Sequence, residues 1–460
     1  MSGVLDSAPT RAQGVQRSGD EVAALRGLAA IAVAVAALMV ATPFAFKAAG
    51  DNAFIALTIP AGLLVIAATA VAERAPTRRV LWLIIAVAIG LRIVALSWEP
   101  LLSSDIYRYI WDGNVQAAGI NPYRYVPADA ALSGLRDAAI FPKINRADYA
   151  VTIYPPVAQA FFLLVTRFGA NTLVMRIALL ACEAVSAVII LLLLKRLRWP
   201  ATRIVAYLWH PLPIWEIANS GHIDGLMVCL MLLGLWVAAS GRSTGGAVLI
   251  MLAGLVKPFA AAALAVLWRP WNWKMPLAVI ATIAVCYLPY LSVGWNVFGF
   301  LTQGYLSEEG VASGSGLWLL SMWRLAFGAH QGDVIVYLAA ASLVMLLLAH
   351  RIWRQPERML ALDLADINTL LLVGLLLLSP HYPWYFLIVT PFVALSGSAP
   401  LNAATWAASI GALLLTDEIG GDFQIPPIVV KSILFGAVLL AVLWSMRARL
   451  SLAPRREGAP

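Results

Sequence analysis

The sequence predicts an all-α protein: a polytopic transmembrane helical bundle of about 12–14 spans, interrupted after its third apolar block by one long charged loop. Three observations carry that prediction. The chain of 460 residues is 61% hydrophobic and only 12% charged, where a soluble domain carries roughly a quarter charged residues. Its apolar residues come in blocks of about 17–24, the length a helix needs to cross about 30 Å of hydrocarbon. The alternation over about ten residues that marks the strands of a membrane barrel is absent from these blocks.

Taken in order, residues 1–26 are polar and Ser/Gly-containing, and are expected to be a disordered cytoplasmic tail. So long a polar lead suits an uncleaved first helix better than a removable signal peptide. Spans follow at about 27–45, 53–73 and 79–97, then the loop, then spans at about 173–194, 200–217, 223–240, 275–294, 333–352, 366–380, 383–398, 401–416 and 428–446. Residues 27–447 thus form one membrane domain and 448–460 a second cytoplasmic tail.

Orientation follows from Lys and Arg near helix ends, which favour the cytoplasm. Arg74, Arg78 and Arg79 form one group, and Lys195, Arg196, Arg198 and Arg203 a second. Arg351, Arg354 and Arg358 form a third, and Arg447, Arg449, Arg455 and Arg456 a fourth. Placing all four inside puts both termini in the cytoplasm and the loop outside. Two segments must then fall short of a crossing. Residues 154–168 are expected to lie at the outer membrane surface, and residues 245–268 to be two half-helices broken at Lys257-Pro258.

The net charge of +8 sits mostly in short connections and tails, so it reads as a topology signal and not as a nucleic-acid footprint. Cys182, Cys229 and Cys286 lie inside apolar blocks without metal or redox spacing and read as packing thiols. There is no nucleotide-binding Gly-rich loop, no regular internal repeat and no evident paired-acidic metal motif, so no cofactor or metal is expected.

The loop, 98–153, or 98–172 with its juxtamembrane helices, is where the charge gathers: eleven charged residues, from Glu99 to Asp148. Within it, Ser103-Ser104 precede a short helical run that begins at Asp105, and Gly113 follows it. Asp105, Tyr109 and Asp112 share one helical face, with Arg108 beside both carboxylates. The pattern fits an exposed Asp–Arg–Asp ladder anchored by interfacial aromatics. It also fits a carboxylate base near lipid headgroup depth, able to take a proton from a hydroxyl while a cation holds a phosphate leaving group.

The run SSDIYRYIWDGNVQAAGINPYRYVP, followed by IYPPVAQAF, resembles the first outer loop of bacterial GT-C membrane glycosyltransferases, notably the polyprenyl-phosphate-mannose-dependent mannosyltransferases. The likeness continues as a pattern of helices and loops through HIDG (222–225), LVKPF (255–259) and SPHYPWYF (379–386), although two helices precede the usual first core span. This resemblance implies a GT-C-like fold with a large extracytoplasmic catalytic loop. It also implies transfer of a hexose, mannose in particular, from a polyprenyl-phosphate-linked donor to a lipid or glycan acceptor at the outer face of the cytoplasmic membrane. Asp105 maps to the catalytic base of that loop.

Further candidates for substrate binding are Arg108, Tyr109, Asp112, Asn121, Tyr123 and Tyr154 in the loop, and His222, Asp224, Lys257, His381 and Tyr382 at or near helix ends. Ionisable groups at membrane depth default to functional hypotheses. Each also has a bland alternative: polar loop ends for His222 and Asp224, an aromatic belt for Tyr382, and structural proline chemistry beside Tyr154. Lys257 is expected to grip a lipid phosphate, and Arg108 to share that charge. A transporter or flippase would carry two related halves with matching broken helices. Another lipid-linked group transferase, such as an arabinosyltransferase, would share the architecture.

Overall fold

The computed structural model describes residues 11–451 apart from 270, 299, 301–303, 356–358 and 419–425, and among the described residues it contains helices and no strand. Arg358, Arg455 and Arg456 lie outside the described residues. The first helical stretch, Arg11–Arg74, has 64 residues. At 1.5 Å per residue a straight helix of that length would reach about 96 Å, some three times a hydrocarbon core. It instead reverses at Gly50, whose φ of 69° is left-handed and suits a residue without Cβ. The two halves lie side by side, since a Cβ on Gly27 would stand 3.4 Å from Val71. The Thr77 hydroxyl donates to the Glu21 carboxylate at 3.0 Å, closing the far end. The two expected spans 27–45 and 53–73 are these two halves. The polar lead is helical from Arg11 on.

Eight helices among the described residues are long and apolar enough to cross a membrane, the reversing stretch Gly19–Arg74 counted as one, or nine if one bent pair is counted as a span. The chain is a multi-pass helical membrane protein. The expected total of about 12–14 also counted segments that are short or broken. Residues 201–219 form a succession of single turns divided by Pro211 and Pro213, and then meet the helix Asp224–Ala239 at a bend of 118°. Residues 383–395 run as a 3-10 stretch and one short turn split at Pro391. Hydrophobicity made both look like plain spans, but their prolines deny the backbone a continuous ladder. Each is buried inside the bundle, where irregular backbone is tolerated. Residues 245–268 are the expected pair of half-helices, Ser243–Gly254 and a stretch from Pro258 to Leu267, with Lys257 extended between them.

Hydrogen bonds sort the helix ends into two sets. At the loop end, Arg176 donates to the Trp98 carbonyl (2.6 Å), the Asn219 amide to the Glu99 carbonyl (3.1 Å), and the Trp318 backbone N–H to the Ser379 hydroxyl (3.1 Å). At the opposite end, Thr202 donates to the Ala72 carbonyl (3.1 Å), Arg203 to Ser396 (2.8 Å) and Trp353 to Ala265 (2.7 Å). Between them a buried ion pair crosses the core. Arg92 forks onto both oxygens of Glu183 at 2.6 and 3.2 Å and also donates to the Leu208 and Ala88 carbonyls. This satisfaction of every partner is what lets two charges persist in an apolar interior.

Candidate active site

The loop helix Asp105–Ala117 begins where expected, but Ser103 supplies the cap oxygen, accepting from the Asp105 N–H at 3.2 Å. The helix does not stop at Gly113. That glycine lies against the helix Pro156–Thr166, where a Cβ would meet the Phe162 carbonyl and Thr166 at 2.6 Å. Its role is close approach, not termination.

Above this pair opens a cavity of about 770 Å³. It is lined by the start of the loop helix, by loop residues between Lys143 and Tyr154, by Lys257, by Phe300, Tyr305 and Glu308, and by Tyr382, Trp384 and Tyr385. Asp105 lies in its wall, half-buried. One carboxylate oxygen accepts from the Asn145 amide at 2.7 Å and the other from the Tyr154 hydroxyl at 3.2 Å. Burial, and next the Asp105 charge, hold the Tyr154 phenol well above its usual range, so it remains a donor to that carboxylate.

Arg108 also lines the cavity but does not pair with Asp105 as its spacing suggested. Its guanidinium donates to Asp112 (2.9 Å) and the Ala150 carbonyl (3.1 Å). Asp112 is buried, accepts a second bond from Gln159 at 3.0 Å, and braces Arg108. Lys257 reaches the cavity from the break between the half-helices. Its ammonium is 2.6 Å from the fully buried Asp224 carboxylate and 4.7 Å from the centre of the Tyr385 ring. An ammonium has three donors, so the ion pair leaves it able to bind a second anion.

The remaining candidates take other positions. Tyr109 is buried, stacked on Phe162 at 4.6 Å. Asn121 donates to the Tyr290 carbonyl and the Ser292 hydroxyl, both at 2.9 Å, and the Tyr123 hydroxyl donates to the Tyr154 carbonyl at 2.7 Å. Asn121 thereby ties the loop to the end of the 274–298 span, Tyr123 packs its ring on Tyr290 there, and neither lines the cavity. His222 and Asp224 are fully buried one layer behind it. His222 sits 3.2 Å from Glu216 and stacks on Trp384, which stacks in turn on Tyr382 in the cavity wall. His381 lines an adjoining cavity of about 240 Å³ that shares Ile153, Tyr154, Lys257, Tyr305 and Tyr385 with the larger one and is otherwise mostly apolar. Burial, with the Lys431 charge second, pushes the His381 imidazole down to about 4.

Sequence reasoning did not single out Asn145, Arg146, Tyr149, Tyr305 or Glu308 as site residues. Arg146 and Tyr149 reach across the cavity mouth to Glu308 at 2.6 and 2.9 Å. Tyr305 shares a hydrogen bond with Tyr385. The loop's unusual charge was the available signal for Arg146. Nothing local marked the partners, which lie about 160 residues away.

A family model described as "Alpha-(1->6)-mannopyranosyltransferase, N-terminal domain" matches residues 19–273, which include the whole loop and Lys257. The Mycobacterium tuberculosis protein Alpha-(1->6)-mannopyranosyltransferase A is 23% identical over 330 residues, 62% of this chain and 60% of the relative. The match thus spans about three fifths of that relative's length. No solved structure matches the chain.

Proposed function

Because this chain belongs to the alpha-(1->6)-mannopyranosyltransferase family, we propose that it moves a mannosyl group from a polyprenyl-phosphate-linked donor to a lipid or glycan acceptor. The observation that carries this reading is the Asp105 carboxylate, oriented by Asn145 and Tyr154 in the wall of a cavity that also holds Lys257. In the proposed reaction Asp105 takes the proton of an acceptor hydroxyl as that oxygen bonds to the sugar's anomeric carbon. The bond from that carbon to the phosphate oxygen breaks, and polyprenyl phosphate departs with the electron pair. Lys257, held by Asp224, neutralises the departing phosphate, and the adjoining apolar cavity receives the first prenyl units. A positioned base of this kind contributes roughly 10²–10⁴-fold to rate.

The loop end is proposed to face outside the cytoplasmic membrane, with both tails, 1–26 and 448–460, inside. The basic groups around Arg74–Arg79, Lys195–Arg203 and Arg351 support this, because they lie at the end opposite the loop. Charged nucleotide sugars are made in the cytoplasm, so an outward site requires a donor already carried across on a lipid. The test is transfer by purified protein in nanodiscs, supplied with mannosyl polyprenyl phosphate or with a nucleotide-linked mannose. Product from the lipid donor alone is expected. Product from the nucleotide sugar alone would overturn the assignment.

A further inference from the structure

We infer that Arg146 is the loop's phosphate-binding cation, and that Glu308 holds it as an internal stand-in for a phosphate oxygen until the donor displaces it. The inference rests on the reading of the cavity as a lipid-phosphate site, and names a pair that this reading did not require.

Two kinds of arginine pair occur around the site. Arg108–Asp112 is almost completely enclosed, with side chains 6% and 2% exposed. Arg146–Glu308 is 2.6 Å apart but 25% and 30% exposed, and both residues line the cavity. Exposed pairs contribute little to stability, so this one exchanges at low cost. The polyprenyl phosphate monoester that departs offers more charge and more oxygens to the guanidinium fork than a carboxylate does.

The backbone supports the same assignment. Arg146 is one of three non-glycine residues among the described ones with positive φ, at 56°. A left-handed arginine is a strained choice, and such strain gathers at binding sites. Here it allows consecutive residues to serve one cavity: Asn145 holds the Asp105 carboxylate while Arg146 lines the same wall. The Tyr305 ring lies 5.9 Å beneath the guanidinium, and the Tyr149 hydroxyl holds the second oxygen of Glu308 at 2.9 Å. The arginine is therefore presented at the mouth of the cavity, engaged by an anion that the chain itself supplies.

The probes are a short-chain polyprenyl phosphate and the matching polyprenol, each titrated against the full chain in nanodiscs. Arg146→Gln is expected to weaken the phosphate roughly tenfold or more, since it removes charge-assisted bonds. Glu308→Gln is expected to tighten it severalfold, because it removes the competitor. Neither should alter the polyprenol. A gain in Glu308→Gln cannot come from misfolding. If both variants weaken the phosphate, the pair is a structural clasp and the inference fails. The inference also fails if neither variant moves while Lys257→Met still loses the phosphate, in which case the lipid-phosphate reading survives. If wild type binds phosphate and polyprenol equally, both fall together.

Discussion

Lys257→Met removes a cation that lines both cavities, and its consequences separate a binding role from a structural one. The Asp224 carboxylate it leaves behind is fully buried, with one oxygen 2.6 Å from the lost ammonium. Breaking a buried pair by deleting one partner costs about 3–5 kcal/mol, because the remaining charge is uncompensated. The single variant should therefore unfold at distinctly lower temperature in detergent. Asp224→Asn in the same chain removes the orphaned charge, and the double variant should regain most of that loss. Affinity for a polyprenyl phosphate should not return with it. A charge-assisted bond to the phosphate contributes roughly 1.5–3 kcal/mol, or about 10–100-fold in affinity. Thermal unfolding and ligand titration on the two variants read both quantities. If the double variant recovers stability and affinity together, Lys257 serves only to neutralise Asp224 and the phosphate role is wrong.

Topology is checked by labelling from outside intact cells: Ser133→Cys, exposed in the loop, should react, and Arg242→Cys, between Asp224–Ala239 and Ser243–Gly254, should not. The reverse pattern would put the cavity in the cytoplasm. His381 is pushed from an ordinary 6.5 down to about 4, so between those values the unfolded chain binds the proton and the folded one does not. Stability should accordingly fall by up to about 3 kcal/mol as pH drops from 6.5 towards 4, and His381→Gln should flatten that part of a melting-temperature profile. An unchanged slope would remove His381 as its source. Asp112→Asn leaves the buried Arg108 without its counter-charge, so it should lower thermal stability while reducing transfer far less than a change at Asp105 does.

What the sequence revealed depends on how local the cause was. Apolar block length located the straight helices, since crossing a bilayer is a constraint on consecutive residues. The break at Lys257-Pro258 was legible because a charge and a missing N–H coincide there. The broken course of 201–219 and 383–395 was not, as hydropathy does not respond to backbone conformation when the whole segment is enclosed by protein. Arg92 and Glu183 each stand in an apolar block, and their pairing joins residues 91 apart. The same limit applies at the site. Asp105 could be picked out by its place just after a span, whereas Asn145, Arg146 and Glu308 acquire meaning only when two distant loops meet. For Asn121 and Tyr123, polar and aromatic character in a charged loop suggested ligand contact, and in the structure their bonds go to the neighbouring span and to the Tyr154 carbonyl.

The central claim is that Asp105 is the base of a glycosyl transfer, and the most direct test is transfer by Asp105→Asn. Asparagine keeps the size and an acceptor for Asn145 or Tyr154 but cannot take a proton at neutral pH. Measured in nanodiscs with mannosyl polyprenyl phosphate, the variant should bind donor nearly as wild type does and lose roughly 10²–10⁴-fold in rate. Asp112→Asn, assayed beside it, should retain most transfer. Near-full transfer by Asp105→Asn with a dead Asp112→Asn would show that the base lies two turns further along the helix, and full activity in both would contradict a catalytic role for this loop.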